Sequence, residues 1–284
     1  MKSRKFYQVV LAALLGSLAV LGISPALAQT PSTSSSPQTT AVSPLQNAPM
    51  RIHRVTPGGA VESNNWSGYA VVGDSFTDVR GSWHVPEVRC NTTPNSQAAF
   101  WVGFDGFANS TVEQTGTSSN CNGTTAQYFA WYEVFPAGPV VLSNFPIQPG
   151  DVIGAEVIYE GDGNFSVHLH NHRTGQEFKK TVSAPGVQRA SAEWIAEAPC
   201  GKVSGGVCVD ILPLANFHVA NYGDDLTGDA GTNTAIDSST SGPISNFGSN
   251  VFQITMVSTL GLTEAIPSNL TPDGLSFRVW WEAE

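Results

Sequence analysis

The chain has 284 residues, 13 Lys and Arg against 23 Asp and Glu, and a formal net charge of −10. Nucleic acid is excluded as a natural partner, because phosphate backbones demand clustered cations that so acidic a chain does not supply. Four cysteines form an even set, and 41% hydrophobic residues are enough for a buried core.

At the N-terminus, Lys2, Arg4 and Lys5 precede an apolar run from Val9 to Ile23 that closes on Ala26-Leu27-Ala28. Charge, apolar stretch and small residues in that order read as a secretory signal cut after Ala28, so the mature protein is expected outside the cell. The run is too short for a stable span, and no later stretch approaches about 18 consecutive apolar residues, so no membrane contact is expected after signal removal. From Gln29 to Ala60, Ser, Thr, Pro, Gln and Ala dominate and acids are absent. That composition cannot bury a core and reads as a linker or pro-segment. It carries Arg51 and Arg54, whereas after Val61 the chain holds 8 Lys and Arg against 23 Asp and Glu. A basic pro-segment could therefore lie over an acidic cleft.

Residues 61–284 are expected to form one domain. Short segments rich in Val, Phe, Tyr, Trp and Thr follow one another between Gly, Pro, Asn and Asp clusters: SGYAVV, VRGSWHV, AAFWVGF, QYFAWYEVF, VIGAEVIY, NFSVHLH, EFKKTV, SAEWIAE, VFQITMVS and SFRVWWE. Several alternate, as in Phe165, Val167 and Leu169 against Ser166, His168 and His170, the mark of a sheet with one buried face. So many strands with frequent turn residues predict an all-β fold, an antiparallel β-sandwich. Gly73-Asp74-Ser75 reads as a turn, as does the stretch after His170, which takes His172 off its strand. The polar stretch TVEQTGTSS, Thr111 to Ser119, reads as a strand running into a turn at Gly116.

In an exported chain the cysteines favour two disulfides over metal chemistry. Cys200 and Cys208 are close enough to clamp one loop, which leaves Cys90 with Cys121; no C-x-x-C pair suggests a structural zinc site. Glu193 and Glu197 stand four apart on a predicted strand and face the same way, which admits a carbohydrate-active sandwich using both carboxylates. A lectin-like module using only cleft aromatics is the other alternative.

Five blocks point elsewhere. VESNNWSGY (61–69), FWVGFDG (100–106), VEQTG (112–116), AWYEVFP (130–136) and SAEWIAEAPC (191–200) with the Cys208 loop resemble, in order, the glutamic peptidases or eqolisins. The resemblance implies a sandwich of two large sheets, of the concanavalin-like or jelly-roll type, and a metal-independent acid endopeptidase with no cofactor. It places the catalytic pair on Gln114 and Glu197, and cleft residues on Trp66, Trp101, Asp105 and Glu133. Glutamine cannot titrate, but its amide can donate to a developing oxyanion while a carboxylate activates water. A protein or peptide substrate, an intramolecular pro-segment and a monomer are the expected partners and state.

Overall fold

The computed structural model describes residues 46–55 and 60–282. The expected signal falls outside them, as does part of the predicted linker. Each of the ten predicted strand segments lies on an observed strand, because β-branched and aromatic side chains suit a pleated, half-buried surface.

The strands form two layers. In the first, Val140–Val141, Thr125–Phe135, Val112–Asn122, Gln97–Phe104, Ser191–Glu197, Trp66–Val72 and Val251–Val257 lie side by side, each neighbouring pair antiparallel. In the second the order is Gln176–Ser183, Asn164–Asn171, Val152–Gly161, Asp78–His84, Val219–Tyr222 and Phe277–Trp281. Strand Thr263–Pro267 pairs with both Val251–Val257 and Phe277–Trp281, so the layers join along one edge. This is the predicted all-β sandwich. The one parallel pairing among the described strands sets Val61–Ser63 beside Val251–Val257.

Between the layers lies a core of Trp83, Phe100, Val102, Phe104, Val157, Phe165, Trp194 and Tyr222. The buried polar tips of its aromatics find partners across the gap: Trp83 Nε1 donates to Thr117 Oγ1 at 2.8 Å and Tyr222 Oη to the Ile195 carbonyl at 2.7 Å. These bonds satisfy groups whose burial would otherwise cost about 1–3 kcal/mol each. They also tie the first layer to the second.

The turn expected at Gly116 is not there. Strand Val112–Asn122 runs straight through it. A Cβ at Gly116 would stand 2.4 Å from the Phe100 carbonyl oxygen and 2.6 Å from Trp101 Cβ, so the glycine permits close approach of the neighbouring strand. Gly68, at φ +145, is fixed by the same logic, since a Cβ there would meet the Trp194 carbonyl oxygen at 2.2 Å. Both disulfides form as expected, with Cα–Cα separations of 5.3 Å for Cys90–Cys121 and 5.7 Å for Cys200–Cys208. The second staples a hairpin of Cys200–Ser204 and Val207–Ile211.

Candidate active site

Alternation along the strands of the first layer sends one set of side chains into the core and the other to the opposite face. Trp66, Trp101, Trp131 and Ile195 occupy that opposite face together with Ala48 and Met50. It is not open. Gln97–Phe104 and Ser191–Glu197 are buried at every position, on both faces. Residues 46–51 help to cover it, running across the strands with backbone bonds to both sides.

The course of this segment is fixed bond by bond. The Gln46 carbonyl accepts from the Cys200 amide at 2.8 Å, and the Met50 amide donates to the Gly106 carbonyl at 3.0 Å. Between them, the Ala48 amide donates to Glu197 Oε1 at 2.9 Å. The Ala48 carbonyl accepts from Trp66 Nε1 at 3.0 Å and from Asn65 Nδ2 at 3.3 Å. Asn65 Nδ2 also reaches the Pro49 carbonyl at 3.2 Å, while Asn65 Oδ1 accepts from the Arg51 amide at 2.7 Å. Arg54, by contrast, pairs with Glu62, and the Arg51 guanidinium reaches the Cys208 carbonyl, so backbone amides rather than arginine charge hold the segment in the cleft.

Glu197 ends the strand Ser191–Glu197 and is fully buried. Trp101 Nε1 donates to its Oε2 at 2.8 Å, and the rings of Trp66 and Trp101 meet edge to face at 4.9 Å. Burial pushes the Glu197 carboxyl up to about 8, against the pull of the Ala48 amide and the Trp101 indole. Gln114 and Glu133 stand opposite one another on neighbouring strands, and Gln114 Nε2 donates to Glu133 Oε2 at 2.9 Å. Glu133 is held well above the ordinary carboxylate range, by burial first and by the charge of Glu197 second. The Asn47 amides lie against the same Glu133 carboxyl and pull the other way.

Trp66, Trp101, Glu133, Gln114 and Glu197 therefore converge around one stretch of backbone. Asp105 does not join them. Its carboxylate accepts from the backbone amides of Gln188, Arg189 and Ala190 and from Asn109 Nδ2, stapling the loop that leads into the Glu197 strand. Glu193 keeps different company from Glu197: the charges acting on it are Asp105 and Glu113. His172 leaves its strand as expected and pairs with Asp229, while His168 pairs with Glu156 on the far layer. Asn65 and Ala48 were not singled out by the sequence. The doubled Asn before Trp66 was the available signal for the first; nothing in QNAPM marks the second.

A family model described as the Peptidase A4 family matches residues 64–263. Aspergillopepsin-2 of Aspergillus niger is 30% identical over 157 residues, which takes in 48% of this chain and 56% of that protein. The chain thus matches little more than half the length of that relative. Among solved structures, scytalido-glutamic peptidase with a transition state analog inhibitor superposes with a TM-score of 0.63 at 22% identity, over 77% of this chain and 98% of the other. Aspergilloglutamic peptidase from Aspergillus niger gives 0.53 at 23% identity, over 66% and 99%. At these identities the superpositions establish the shared fold, and the family match extends over more than half of the sequence. The chain belongs to the Peptidase A4 family.

Proposed function

We propose that this chain is an exported endopeptidase that hydrolyses protein substrates in acid with Gln114 and Glu197, using no metal or cofactor. The observation that carries the reading is the peptide group already lying in the cleft, with its N–H on Glu197 and its neighbour against Glu133 beside the Gln114 amide. An extended substrate would follow the same path.

Glu197, ionised, takes a proton from a water that attacks the scissile carbonyl carbon and later returns it to the leaving amine. Gln114 spends one N–H on Glu133 and has a second for the oxyanion. Glu133 stays protonated, because burial and the Glu197 charge oppose a second negative charge nearby. Burial is the main cause of the raised Glu197 carboxyl, so displacing the covering segment and admitting water lowers it. The basic apolar leader and the two disulfides support export, and residues 29–60 are read as a pro-segment to be displaced or removed.

The test is kinetic, on a denatured protein substrate in acid. Glu197→Gln should lower kcat by about 10²–10⁴-fold. Gln114→Ala should lower it by roughly 10²–10³-fold with a smaller change in KM, because the lost bond strengthens only as charge develops. Full activity in folded Gln114→Ala protein would overturn the assignment.

A further inference from the structure

Alternation in the second layer sends Val157, Val167 and Leu169 into the core and leaves charge on the outer face, on the far side of the sandwich from Gln114 and Glu197. Arg80, Glu156, His168 and Lys179 stand opposite one another on four neighbouring strands, and in the next row His170 stands between Gly154 and Glu177. Gly154 is small for a reason. A Cβ there would lie 2.7 Å from Asp229 Oδ2, so the missing side chain lets the loop that carries Asp229 come down on the sheet. The result is a cavity of about 410 Å³ lined by Arg80, His168, His170, His172, Lys179 and Phe178 and flanked by Asp229 and Thr232. Its size falls within the range of about 300–1,000 Å³ typical of small-molecule sites, more than a bare ion needs. Three of the chain's 6 histidines and two of the 8 Lys and Arg after Val61 meet in this one place on an acidic body.

The protein's own carboxylates occupy these basic groups. Arg80 Nη2 donates to Asp78 Oδ2 at 2.9 Å and its Nε pairs with Glu156. His168 Nδ1 lies 3.2 Å from Glu156 Oε2, His172 Nε2 lies 3.1 Å from Asp229 Oδ2, and the His170 ring packs at 4.3 Å on that of His172. Glu177 opposes His170, and the charge of Glu160 also reaches His168. His84, on the same strand as Arg80, is spent on the carbonyls of Gly150 and Leu226. Acid works on both sides of these pairs in one direction, charging imidazoles and discharging carboxylates. Burial, and after it the charge of Asp78, raises the Glu156 carboxyl, so that acceptor is lost at a higher pH than an ordinary carboxylate. Burial, and after it Lys179, lowers His168, whose charge arrives later than that of an ordinary imidazole. What acid leaves is a set of N–H donors whose acceptors have been neutralised. A ligand able to replace those acceptors must keep its own charge in acid, as phosphate and sulfate monoesters do.

We propose that this cavity is an acid-conditional binding site for a small organic phosphate or sulfate monoester, whose oxyanion takes the place of the Glu156 and Asp229 carboxylates on Arg80, His168 and His172 while its organic part lies against Phe178. The site is separate from the cleft, and nothing in it depends on the reading of Gln114 and Glu197.

The experiment titrates phenyl phosphate and phenyl sulfate into the full-length Glu197→Gln chain, in which the proposed base is absent and the sample is spared digestion. Histidine ring signals are followed by NMR at about pH 4.5 and about pH 7.5, on either side of the imidazole range. Both monoesters should bind saturably in acid, shifting His168, His170 and His172 but not His53 or His218, with affinity at least about tenfold weaker at the higher pH, the loss expected when charge-assisted bonds are withdrawn. Phenol, which carries no charge, should not saturate the site. Arg80→Gln should cost at least about tenfold in acid. Glu156→Gln removes the competing carboxylate without acid and should raise affinity at the higher pH by about as much, a gain that a misfolded chain cannot imitate. Saturation by inorganic sulfate as tight as by phenyl sulfate would make this a free-ion site and overturn the ester. Equal affinity at both pH values, unchanged affinity in either variant, or no saturable shift of the three histidines overturns the site itself.

Discussion

Trp101 stands with its indole N–H on Glu197 Oε2 and its ring edge against Trp66, so one side chain both packs the cleft floor and biases a proton equilibrium. A donor to the ionised carboxylate favours that form. Trp101→Phe keeps most of the packing and removes the donor, which raises the Glu197 pKa. The acid limb of kcat/KM should then move to higher pH by about one unit, the equivalent of a charge-assisted bond near 1.4 kcal/mol. An unmoved limb would reduce Trp101 to packing alone. If Gln114 and Glu197 act on one carbon as proposed, their effects are non-additive: the double variant should be little slower than the worse single one in single-turnover measurements.

The strand Val112–Asn122 shows where sequence reading succeeded and where it stopped. Its VEQTG block located Gln114, yet its composition of Glu, Gln, Thr, Gly, Ser and Asn hid an 11-residue strand behind an expected turn. The strand is polar and still buried because its hydroxyls are spent locally. Thr115 Oγ1 donates to the Trp131 carbonyl, Ser118 Oγ accepts from Trp131 Nε1, and Ser119 Oγ donates to the Pro86 carbonyl. Hydrophobic alternation cannot report such a strand. Where strands do alternate, as at Asn164–Asn171, the reading was sound, and the five family blocks carried Trp66, Trp101, Glu133, Gln114 and Glu197 into one place while Asp105 went to a loop. Ala48 was illegible because its part is played by a backbone amide, which every residue but proline has. Two substitutions test the element. Gly116→Ala should destabilise the fold by about 1–3 kcal/mol, as overpacking against rigid backbone does, measured by urea unfolding. Removing Cys90–Cys121, which closes 31 residues of sequence separation, should cost roughly 3–4 kcal/mol by the chain-entropy relation.

Over the whole molecule the buried carboxyls set the pH at which the sandwich can exist. Burial lifts Glu113 to about 9 and Glu197 to about 8, and holds Glu133 and Glu193 well above the ordinary range. A folded pKa above the unfolded one means that the native state binds the proton more tightly, so this contribution is full below the unfolded value and is lost as pH rises through the folded values. Each group can remove up to about 1.4 kcal/mol per pH unit in that window. Against total stabilities on the order of 5–15 kcal/mol, the protein should hold in acid and unfold toward alkaline pH. Urea midpoints measured from acid to mildly alkaline buffer should fall steadily, and Glu193→Gln, which mimics the protonated acid, should flatten the slope. A midpoint constant across the range would contradict this account. The segment Gln46–Met50 adds a property of a different kind, because it shares a chain with the cleft that it fills. Dilution does not weaken it: a short tether maintains a local concentration on the order of millimolar whatever the protein concentration. An incoming peptide must outcompete that standing concentration, so an apparent KM for the uncut chain reports the tether as well as the site, and substrates of modest affinity are kept out until the connection is severed or the segment lets go.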